Sequence, residues 1–485
     1  MPAGGTLGER VMDRARAHVF LDARRIVYAV TGVYAAALAA ASALEFRSYG
    51  YARFDLGNMV QAVWSTAHGR FLENTSLDGT QLSRLGGHAD PFLALLAPFW
   101  LVWPSPLLLL VVQALAVSAG AFPVFWLARK HLASDRVAAN FAGAYLLYPA
   151  TQFNAFTPSA GFHAVSIAIP LILFAIWFLD EGRLIPFAVF GLFAAATKEE
   201  IGLAVGLLGI WYAVRKGKRL QGSVVLGCGA AITALDFLVI IPHFSPPGFH
   251  PFADRYAAVG GSVGGILHTA LSDPSALVRA AATGHNTVYL LLLLVPFLGL
   301  WLFEPLIAVC ALPDLAINLL SSKPEQTTLE LQYTAGILPF LVVAAILGAQ
   351  RLRRDPSLIV LAACACLALY SPIVVARSDI TSALQPSPAR AAKVRALAMI
   401  PAGAPVAASN QLGADLSERR YIYVFPYVRD ARWIVLDKKD RYLDSSPYAA
   451  RAFDQAVARY EGSANWNIVY SSHGVEVLHK RRSGS

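Results

Sequence analysis

Residues 54–91 open as FDLGNMVQAVWSTAHGR (54–70) and close as LGGHADP (85–91). This polar stretch lies between an apolar run at residues 26–44 and a second apolar run that starts at Pro91. It is the segment between apolar runs that is richest in acidic residues and histidine: Asp55, Glu73, Asp78, His88 and Asp90. Such groups at the edge of a membrane favour a functional site. The alternative is a solvated loop whose charges keep it out of lipid.

The composition indicates a polytopic α-helical membrane protein. Of the 485 residues, 56% are apolar and 15% are charged, whereas a soluble domain carries about 25% charged residues. Apolar runs of roughly 20 residues, the length of a spanning helix, recur along the chain. The formal charge of +9 then reflects cytoplasmic loops that face anionic membrane lipid, and no nucleic-acid partner is expected.

The hydropathy pattern predicts about eleven crossings. Residues 1–25 form a basic cytoplasmic tail without a cleavable signal, and residues 26–375 form the membrane domain. The predicted spans are residues 26–44, 106–128, 137–153, 163–179, 184–197, 199–214, 220–241, 286–303, 306–320, 333–350 and 357–375.

Residues 91–103 (PFLALLAPFWLVW) are apolar but too short to cross the bilayer comfortably. Charge indicates that they do not cross, because the loop before them is outside if the N-terminus is inside, and the basic Arg129-Lys130 should be inside. They are therefore predicted to be an interfacial or re-entrant helix within an outer region over residues 45–105. The protein is expected in the plasma membrane, with its N-terminus cytoplasmic.

Residues 376–485 have a soluble composition and are predicted to be a small α/β domain on the extracytoplasmic side. Helices are expected over 388–399 and 449–460. Strands are expected at YIYVF (421–425), RWIVL (432–436), WNIVY (466–470) and VEVLH (475–479), the last two forming a hairpin.

The sequence gives little support for a metal or another cofactor. All four cysteines lie in apolar runs and are expected to be small core residues: Cys228, Cys310, Cys364 and Cys366. His243, His250 and Asp254 lie in a proline-rich loop, but their irregular spacing is not typical of a metal site. A divalent metal is possible but not indicated.

Three residues of the polar stretch 54–91 (the organising stretch) are candidates for chemistry. Asp55 is placed to act as a base or to polarise an acceptor hydroxyl; the alternative is an acid at the start of a helix. Asp90 is expected to cap the helix that Pro91 begins, and it is also a candidate substrate contact. His88 is a candidate for a substrate contact or a proton relay.

The Lys198-Glu199-Glu200 sequence interrupts two apolar segments, and charges between spans are costly unless they are paired or wet. Lys198 is predicted on the same side as Asp55, where it could hold a phosphate; the alternative is a short outer turn in which Lys and Glu pair. Further substrate-binding candidates are His163 at the start of a span, Gln332 and Tyr333 at another, and Arg420 in the C-terminal domain. Tyr333 could instead be an interfacial aromatic, and Arg420 a solvated cation.

The order of these features resembles the GT-C class of membrane glycosyltransferases, which use polyprenyl-phosphate sugars. The resemblance rests on Asp55 in the first outer loop, the HADPFLALLAPFWLVWPSP stretch after it, a span ending in Arg129-Lys130, and AAATKEE at residues 194–200. It implies a GT-C-like arrangement of the membrane helices.

The chain more closely resembles the bacterial membrane family known as domain of unknown function 2079. FDLGNMVQAVW, GGHADPFLALLAPFW, Gly161-Phe162-His163, TKEE, Gln332-Tyr333 and RRYIYVFP carry this likeness over nearly the whole chain. The family often has an acid just before the Phe-His pair and another just after it. Gly161 and Val165 stand at those positions here, so the roles of these acids are not carried over.

The resemblance implies an inverting transferase that moves a sugar from a polyprenyl-phosphate donor to an extracytoplasmic glycan, lipid or protein acceptor. Asp55 would be the base, and Lys198, with an arginine from the loops, would neutralise the leaving phosphate. Glu199 or His88 would orient the acceptor. The alternatives are a lipid or glycan transporter and a non-catalytic factor in envelope assembly.

Overall fold

The computed structural model describes residues 7–77, 79–248, 252–440 and 447–481, with only the backbone described for residues 7–22 and 447–450. Two residues singled out from the sequence, Asp78 and His250, lie outside the described ranges. The chain is mostly helical, and a small sheet lies near the C-terminus.

The α-helices before residue 385 are Leu7–Arg47, Asn58–Ala67, Ala97–Val102, Pro106–Ala119, Ala121–Leu132, Asp135–Leu147, Pro149–Ala155, Ala168–Asp180, Leu184–Ala195, Ile201–Arg215, Arg219–Leu235, Ile241–Phe244, Val263–Ser272, Pro274–Ala281, Gly284–Leu294, Pro305–Ala308, Leu312–Leu319, Leu338–Leu352, Ser357–Leu367, Pro372–Val375 and Arg377–Leu384. Short 3₁₀ and π segments join many of them, including the π-helices Arg53–Gly57 and Asp236–Ile240.

Within the described ranges, four helical segments are long and apolar enough to cross a membrane: Ala23–Arg47, Pro106–Leu132, Arg219–Phe244 and Ser357–Val375. A fifth is possible if Pro274–Ala281 and Gly284–Phe297, bent by 72° at their junction, form one span. Six further apolar helices have 10–17 residues. The count of about eleven crossings therefore stays a prediction, because many apolar runs are folded as short or broken helices.

Several predicted spans are not single helices. The one at residues 137–153 breaks at Tyr148, which is extended before Pro149, as expected of a residue that precedes proline. The one at residues 286–303 breaks at Leu298 and Gly299, both in the left-handed region. The predicted short helix at residues 91–103 is present as the 3₁₀-helix Pro91–Leu96 followed by Ala97–Val102.

Two antiparallel helices, Ile201–Arg215 and Arg219–Leu235, pack almost backbone to backbone. A Cβ atom on Gly209 would lie 2.2 Å from the Gly222 carbonyl oxygen, and one on Gly229 would lie 2.5 Å from the Gly206 Cα. Small residues allow such close approach between membrane helices. This packing holds the start of the helix at Ile201. It therefore also holds the preceding turn, which contains Lys198, Glu199 and Glu200.

Charged residues at helix ends meet on one face of the helical region. The Asp180 carboxylate pairs with Lys130 at 2.7 Å, with His131 at 2.9 Å and with Lys216 at 2.8 Å. The side chain of Asp180 is only 2% exposed. We call Asp180 with these three partners the Asp180 cluster.

A second carboxylate on the same face, Glu304, pairs with Arg215 and Arg351. Lys216 of the Asp180 cluster follows Arg215 directly, so the two groups adjoin. The basic residues at these helix ends therefore lie together in the fold.

The C-terminal region contains the helices Pro388–Ala398, Asn410–Asp415 and Pro447–Glu461 and the five-stranded sheet. Its strands are β3 (Val406–Ala408), β4 (Ile422–Val424), β5 (Trp433–Asp437), β6 (Trp466–Ser472) and β7 (Val475–Lys480), in the order β4-β3-β5-β7-β6. β4, β3 and β5 are parallel, whereas β7 is antiparallel to β5 and β6. The hairpin predicted between β6 and β7 is confirmed.

The sequence did not indicate β3 or the short hairpin formed by β1 (Glu73–Thr75) and β2 (Gln81–Ser83). Each of these three strands has only three residues, too few to show an alternating pattern. β3 is nevertheless the central parallel strand, and all three of its residues are buried.

Asp180→Asn should destabilise the protein because it leaves two lysine ammonium groups and a histidine around a buried position without their carboxylate. Loss of one partner of a buried ion pair costs about 3 kcal/mol or more. We expect a clear drop in Tm in thermal unfolding of the purified protein. Asp355→Asn is the control: its pair with Arg136 is exposed, and such pairs contribute about 0–1 kcal/mol. Equal Tm values for the two variants would contradict this account.

Candidate functional site

Residues from distant parts of the chain line one small cavity of about 50 Å³, which has room for more than one water molecule. Its lining residues are Met59, Arg84, His88, Asp90, His163, Ala164, Val165, Thr197, Lys198, Arg255, Gln332 and Tyr333. Six of the residues proposed from the sequence are among them: His88, Asp90, His163, Lys198, Gln332 and Tyr333.

The wall formed by the organising stretch is fixed by two ionic contacts. Arg84 Nε donates to Asp90 Oδ2 at 2.6 Å. His88 Nδ1 lies 3.0 Å from Glu199 Oε1, and the Ala89 N–H donates to Glu199 Oε2 at 3.1 Å. Glu199 therefore joins this wall to the turn that carries Lys198.

Asp90 does not cap the helix that follows it, and the prediction that it would is wrong. Pro91 does occupy the first helical position, but the Asp90 side chain makes no capping hydrogen bond. The Asp90 carboxylate instead forms an ion pair with the guanidinium of Arg84, six residues earlier. Burial raises the pKa of Asp90, and the nearby charges of Arg84 and His88 oppose that rise.

The turn before the helix Ile201–Arg215 supplies the cavity's lysine. Lys198 Nζ forms an ion pair with Glu200, so the Lys–Glu pairing considered from the sequence is present. The same ammonium lies 5.8 Å from the centre of the Tyr333 ring, within range of a cation–π contact. Phe92 N–H donates to the Ala196 carbonyl at 2.9 Å, which ties the helix Pro91–Leu96 to this turn.

His163 is held through its backbone and leaves its ring available. Its N–H donates to Gln113 Oε1 at 2.7 Å, while Gln113 Nε2 donates to the Gly161 carbonyl at 3.1 Å. Gly161 has φ +81°, and a Cβ there would lie 3.1 Å from the Leu56 Cβ. The glycine that replaces the expected acid is therefore required by the local backbone.

Asp55 lies near the cavity without lining it. It is on the π-helix Arg53–Gly57, and Met59 one turn further on is a lining residue. The Asp55 side chain is half-buried. Burial raises its pKa to about 6, and the charge of Arg84 partly opposes this rise. A carboxylate with such a pKa is well matched to general base chemistry near neutral pH.

Several buried polar atoms of the lining residues have no partner. Asp90 Oδ1, His163 Nδ1 and Gln332 Oε1 are buried and make no hydrogen bond. Buried polar groups are normally satisfied, and unpaired ones in a cavity are the groups that a polar ligand would satisfy. Arg255, from the 3₁₀-helix Asp254–Val259, forms no ion pair with any described residue.

Sequence reasoning did not identify Arg84 or Arg255. Arg84 lies in a loop with other arginines, and its role depends on the turn that brings it back to Asp90. Arg255 lies in a long loop whose path no periodicity predicts. Arg420 does not line the cavity: it pairs with Glu73 at 3.1 Å and lies over the Tyr421 ring.

Among the residues that the structure describes, no group of three or more His, Cys, Asp or Glu side chains is arranged to hold a metal ion. In the loop considered for a metal, the His243 ring packs against Phe244. All four cysteines are free thiols.

Comparison with known families gives a match over residues 47–477 to DUF2079, described as a predicted membrane protein. The chain belongs to this family. The DUF2079 resemblance drawn from its motifs is therefore confirmed, and the protein is a membrane protein. Comparison with curated proteins gave no match.

The DUF2079 chain also shares its fold with ArnT from Cupriavidus metallidurans, a GT-C glycosyltransferase. The ArnT crystal structure bound to undecaprenyl phosphate superposes with a TM-score of 0.54 at 13% identity, covering 94% of this chain and 98% of ArnT. For the apo ArnT structure the TM-score is 0.50 at 14% identity, covering 93% and 98%. The GT-C relation is thus one of fold.

Arg84→Ala should destabilise the protein in a pH-dependent way. Without Arg84 the buried Asp90 carboxylate loses its cation, so its pKa rises further and its charged form is penalised. The Tm loss should become smaller as the pH is lowered, because protonation of Asp90 removes the unpaired buried charge. The double variant with Asp90→Asn should lose less than Arg84→Ala alone. A Tm loss independent of pH would contradict the pairing as its cause.

Proposed function

We propose that this DUF2079 protein is a membrane glycosyltransferase that moves a sugar from a polyprenyl-phosphate donor to an extracytoplasmic acceptor. The observation that carries the proposal is the cavity itself. It combines an arginine that has no counterion among the described residues, a lysine, and three buried polar atoms that no described residue satisfies, on a GT-C fold. These groups suit a ligand that is anionic at one end and rich in hydroxyls at the other.

The cations would bind the donor phosphate. Arg255 is uncommitted, and a guanidinium can hold a phosphate through two parallel hydrogen bonds. Lys198 would add a point charge, although Glu200 shares it. Stabilising the charge that develops on the leaving phosphate lowers the barrier to transfer. ArnT, which shares the fold, has been crystallised with undecaprenyl phosphate, and this supports a polyprenyl phosphate as the lipid partner.

The unsatisfied atoms would bind the sugar. Asp90 Oδ1, His163 Nδ1 and Gln332 Oε1 can each make a hydrogen bond with a hydroxyl group. Tyr333 offers an aromatic ring beside them.

Asp55 would act as the base that takes the proton from the acceptor hydroxyl as the sugar is transferred. The π-helix places Asp55 beside the cavity, and π-turns within helices often occur at functional sites. His88, held by Glu199, would orient the acceptor. The acceptor would be a glycan, lipid or protein of the cell envelope.

The orientation of the protein in the membrane is part of the same proposal. The cavity and Asp55 would face the extracytoplasmic side, whereas the Asp180 cluster and the N-terminus would face the cytoplasm, following the basic residues. The C-terminal α/β region, with residues 376–485 as its proposed extent, would then be extracytoplasmic, and Arg420 would lie outside the catalytic cavity.

One observation favours the alternative of a lipid or glycan transporter. Asp314, on the helix Leu312–Leu319, is buried and its Oδ2 has no hydrogen-bond partner. Unsatisfied carboxylates within membrane helices often mark transport pathways. Movement of labelled lipid across vesicles that contain the purified protein, lost on Asp314→Asn but kept in Asp55→Asn, would favour transport over transfer.

Asp55→Asn should abolish transfer, with a loss of at least about a hundredfold, because asparagine cannot take the acceptor proton. The assay follows release of undecaprenyl phosphate by mass spectrometry when purified protein is mixed with lipid-linked sugars and an envelope fraction. For the unaltered protein the rate should fall below pH about 6, as the Asp55 carboxylate becomes protonated. Normal transfer by an Asp55→Asn variant would refute the base role.

Arg255→Ala should weaken binding of undecaprenyl phosphate about tenfold, since a charged hydrogen bond contributes about 1.5 kcal/mol or more. Affinity can be measured by titration in detergent or nanodiscs. Arg279→Ala is the matched control, because Arg279 is exposed and pairs with Asp273 away from the cavity. Equal affinity in both variants would exclude Arg255 from the phosphate site.

A further inference from the structure

The π-helix that carries Asp55 is held by the C-terminal region of the chain. Asn410, the first residue of the helix Asn410–Asp415, accepts a hydrogen bond from the Phe54 N–H through its Oδ1 at 3.0 Å. Its Nδ2 is buried and has no partner, so this bond to the residue before Asp55 is the one that its side chain makes in the described structure. Asn410 is 2% exposed.

Two glycines bring the C-terminal region and the π-helix into direct contact. A Cβ on Gly413 would lie 2.7 Å from the Arg53 Cβ. At the other end, a Cβ on Gly57 would lie 2.5 Å from Ser417 Oγ. Real Cβ atoms do not approach so closely, so the π-helix is fitted against residues 413–417 without space to spare.

A buried polar network stabilises the same contact. Arg53 is 1% exposed, and its guanidinium donates to Gln61 Oε1 at 2.6 Å and to the Thr75 carbonyl at 3.1 Å. Gln61 Nε2 in turn donates to the carbonyls of Arg419 and Arg420, both at 2.9 Å. Such a network specifies one arrangement because any shift leaves buried groups unsatisfied.

We infer that the C-terminal segment 410–420 sets the position of the Asp55 carboxylate, with Asn410 as a positioning residue. The inference rests on the proposed base role of Asp55 and extends it. The soluble part of the chain then completes the transferase site, in addition to any contact that it makes with acceptor. A π-helix has sparsely populated geometry, and the hydrogen bond from Phe54 to Asn410 holds it immediately before the reacting residue.

The pH dependence of transfer reports this positioning. The charged groups on the elements against the π-helix are Arg84 of the outer loop and those of the C-terminal segment, with Arg53 on the π-helix itself. The charged residues of that segment are Asp415, Glu418, Arg419 and Arg420. Of these, the charge of Arg84 lowers the pKa of Asp55, and burial, which raises it, is the larger influence. Loosening the contact would admit water to Asp55 and move its pKa down towards the ordinary value for an aspartate.

The experiment compares Asn410→Ala and Asn410→Asp with the unaltered protein and with Asp55→Asn. For Asn410→Ala we expect kcat to fall about tenfold or more through misplacement of the base. The KM for the lipid donor should stay within about twofold, since the donor cavity is intact. The acid limb of the pH profile should move down by about one pH unit.

Asn410→Asp keeps an oxygen that accepts the Phe54 N–H but adds a negative charge near Asp55. Its rate above the acid limb should recover most of the loss, while its acid limb should move up, because a like charge raises the pKa of a carboxyl group. These opposite shifts separate positioning from a general loss of stability. Infrared titration of the Asp55 carboxyl stretch, with Asp55→Asn as the blank, gives the same pKa shifts without an activity assay.

Matched controls come from the same region. Asn467→Ala changes an exposed asparagine of β6, and Gly462→Ala changes an exposed glycine, whereas Gly413→Ala should push the π-helix away. Unaltered rate and pH profile in Asn410→Ala, with Asp55→Asn inactive, would overturn the positioning role alone. A rate loss without a pH shift would also overturn it. Activity retained in Asp55→Asn would overturn the base role and the positioning role together.

Discussion

A charge in a low-dielectric membrane must find a partner, and this constraint organises the protein. At one face the Asp180 cluster and the neighbouring Glu304 group gather cations from the ends of several helices around two buried carboxylates. At the cavity, Arg84 is matched to Asp90, His88 to Glu199 and Lys198 to Glu200. Where pairing is so thorough, the exceptions are informative. Arg255 forms no ion pair with any described residue, and three buried polar atoms of residues that line the same cavity have no hydrogen-bond partner among the described residues.

The cavity depends on contacts between parts of the chain that are far apart in sequence. Glu199 connects the turn before one membrane helix to the backbone and ring of the organising stretch. Gln61 and Asn410 connect that stretch to the C-terminal sheet region. The membrane helices therefore do not form the site alone. The organising stretch and the C-terminal region meet on these helices. Buried hydrogen-bonding groups of each segment find their partners in the other.

The sequence predicted the class of fold, a small sheet-containing region near the C-terminus and the segments that form the cavity, because hydropathy and polar clusters depend on composition within short windows. It did not predict which side chains pair over long distances in the sequence. Asp90 was expected to cap a helix, since the local Asp-Pro pattern favours that, but a guanidinium returning from Arg84 offers a stronger contact. Likewise, β3 has three residues and gives no pattern, although it is central to the sheet. Long-range pairing decides such positions, and no local pattern encodes it.

Gly161 has a consequence for how this chain can change. Its left-handed backbone and the Leu56 side chain 3.1 Å from a notional Cβ disfavour an acid at the position where the family resemblance leads one to expect it. An aspartate or glutamate at position 161 would need both a strained backbone and a shift of the Leu56 side chain. Such a variant would therefore carry a conformational cost in the loop before His163, whatever charge it added there.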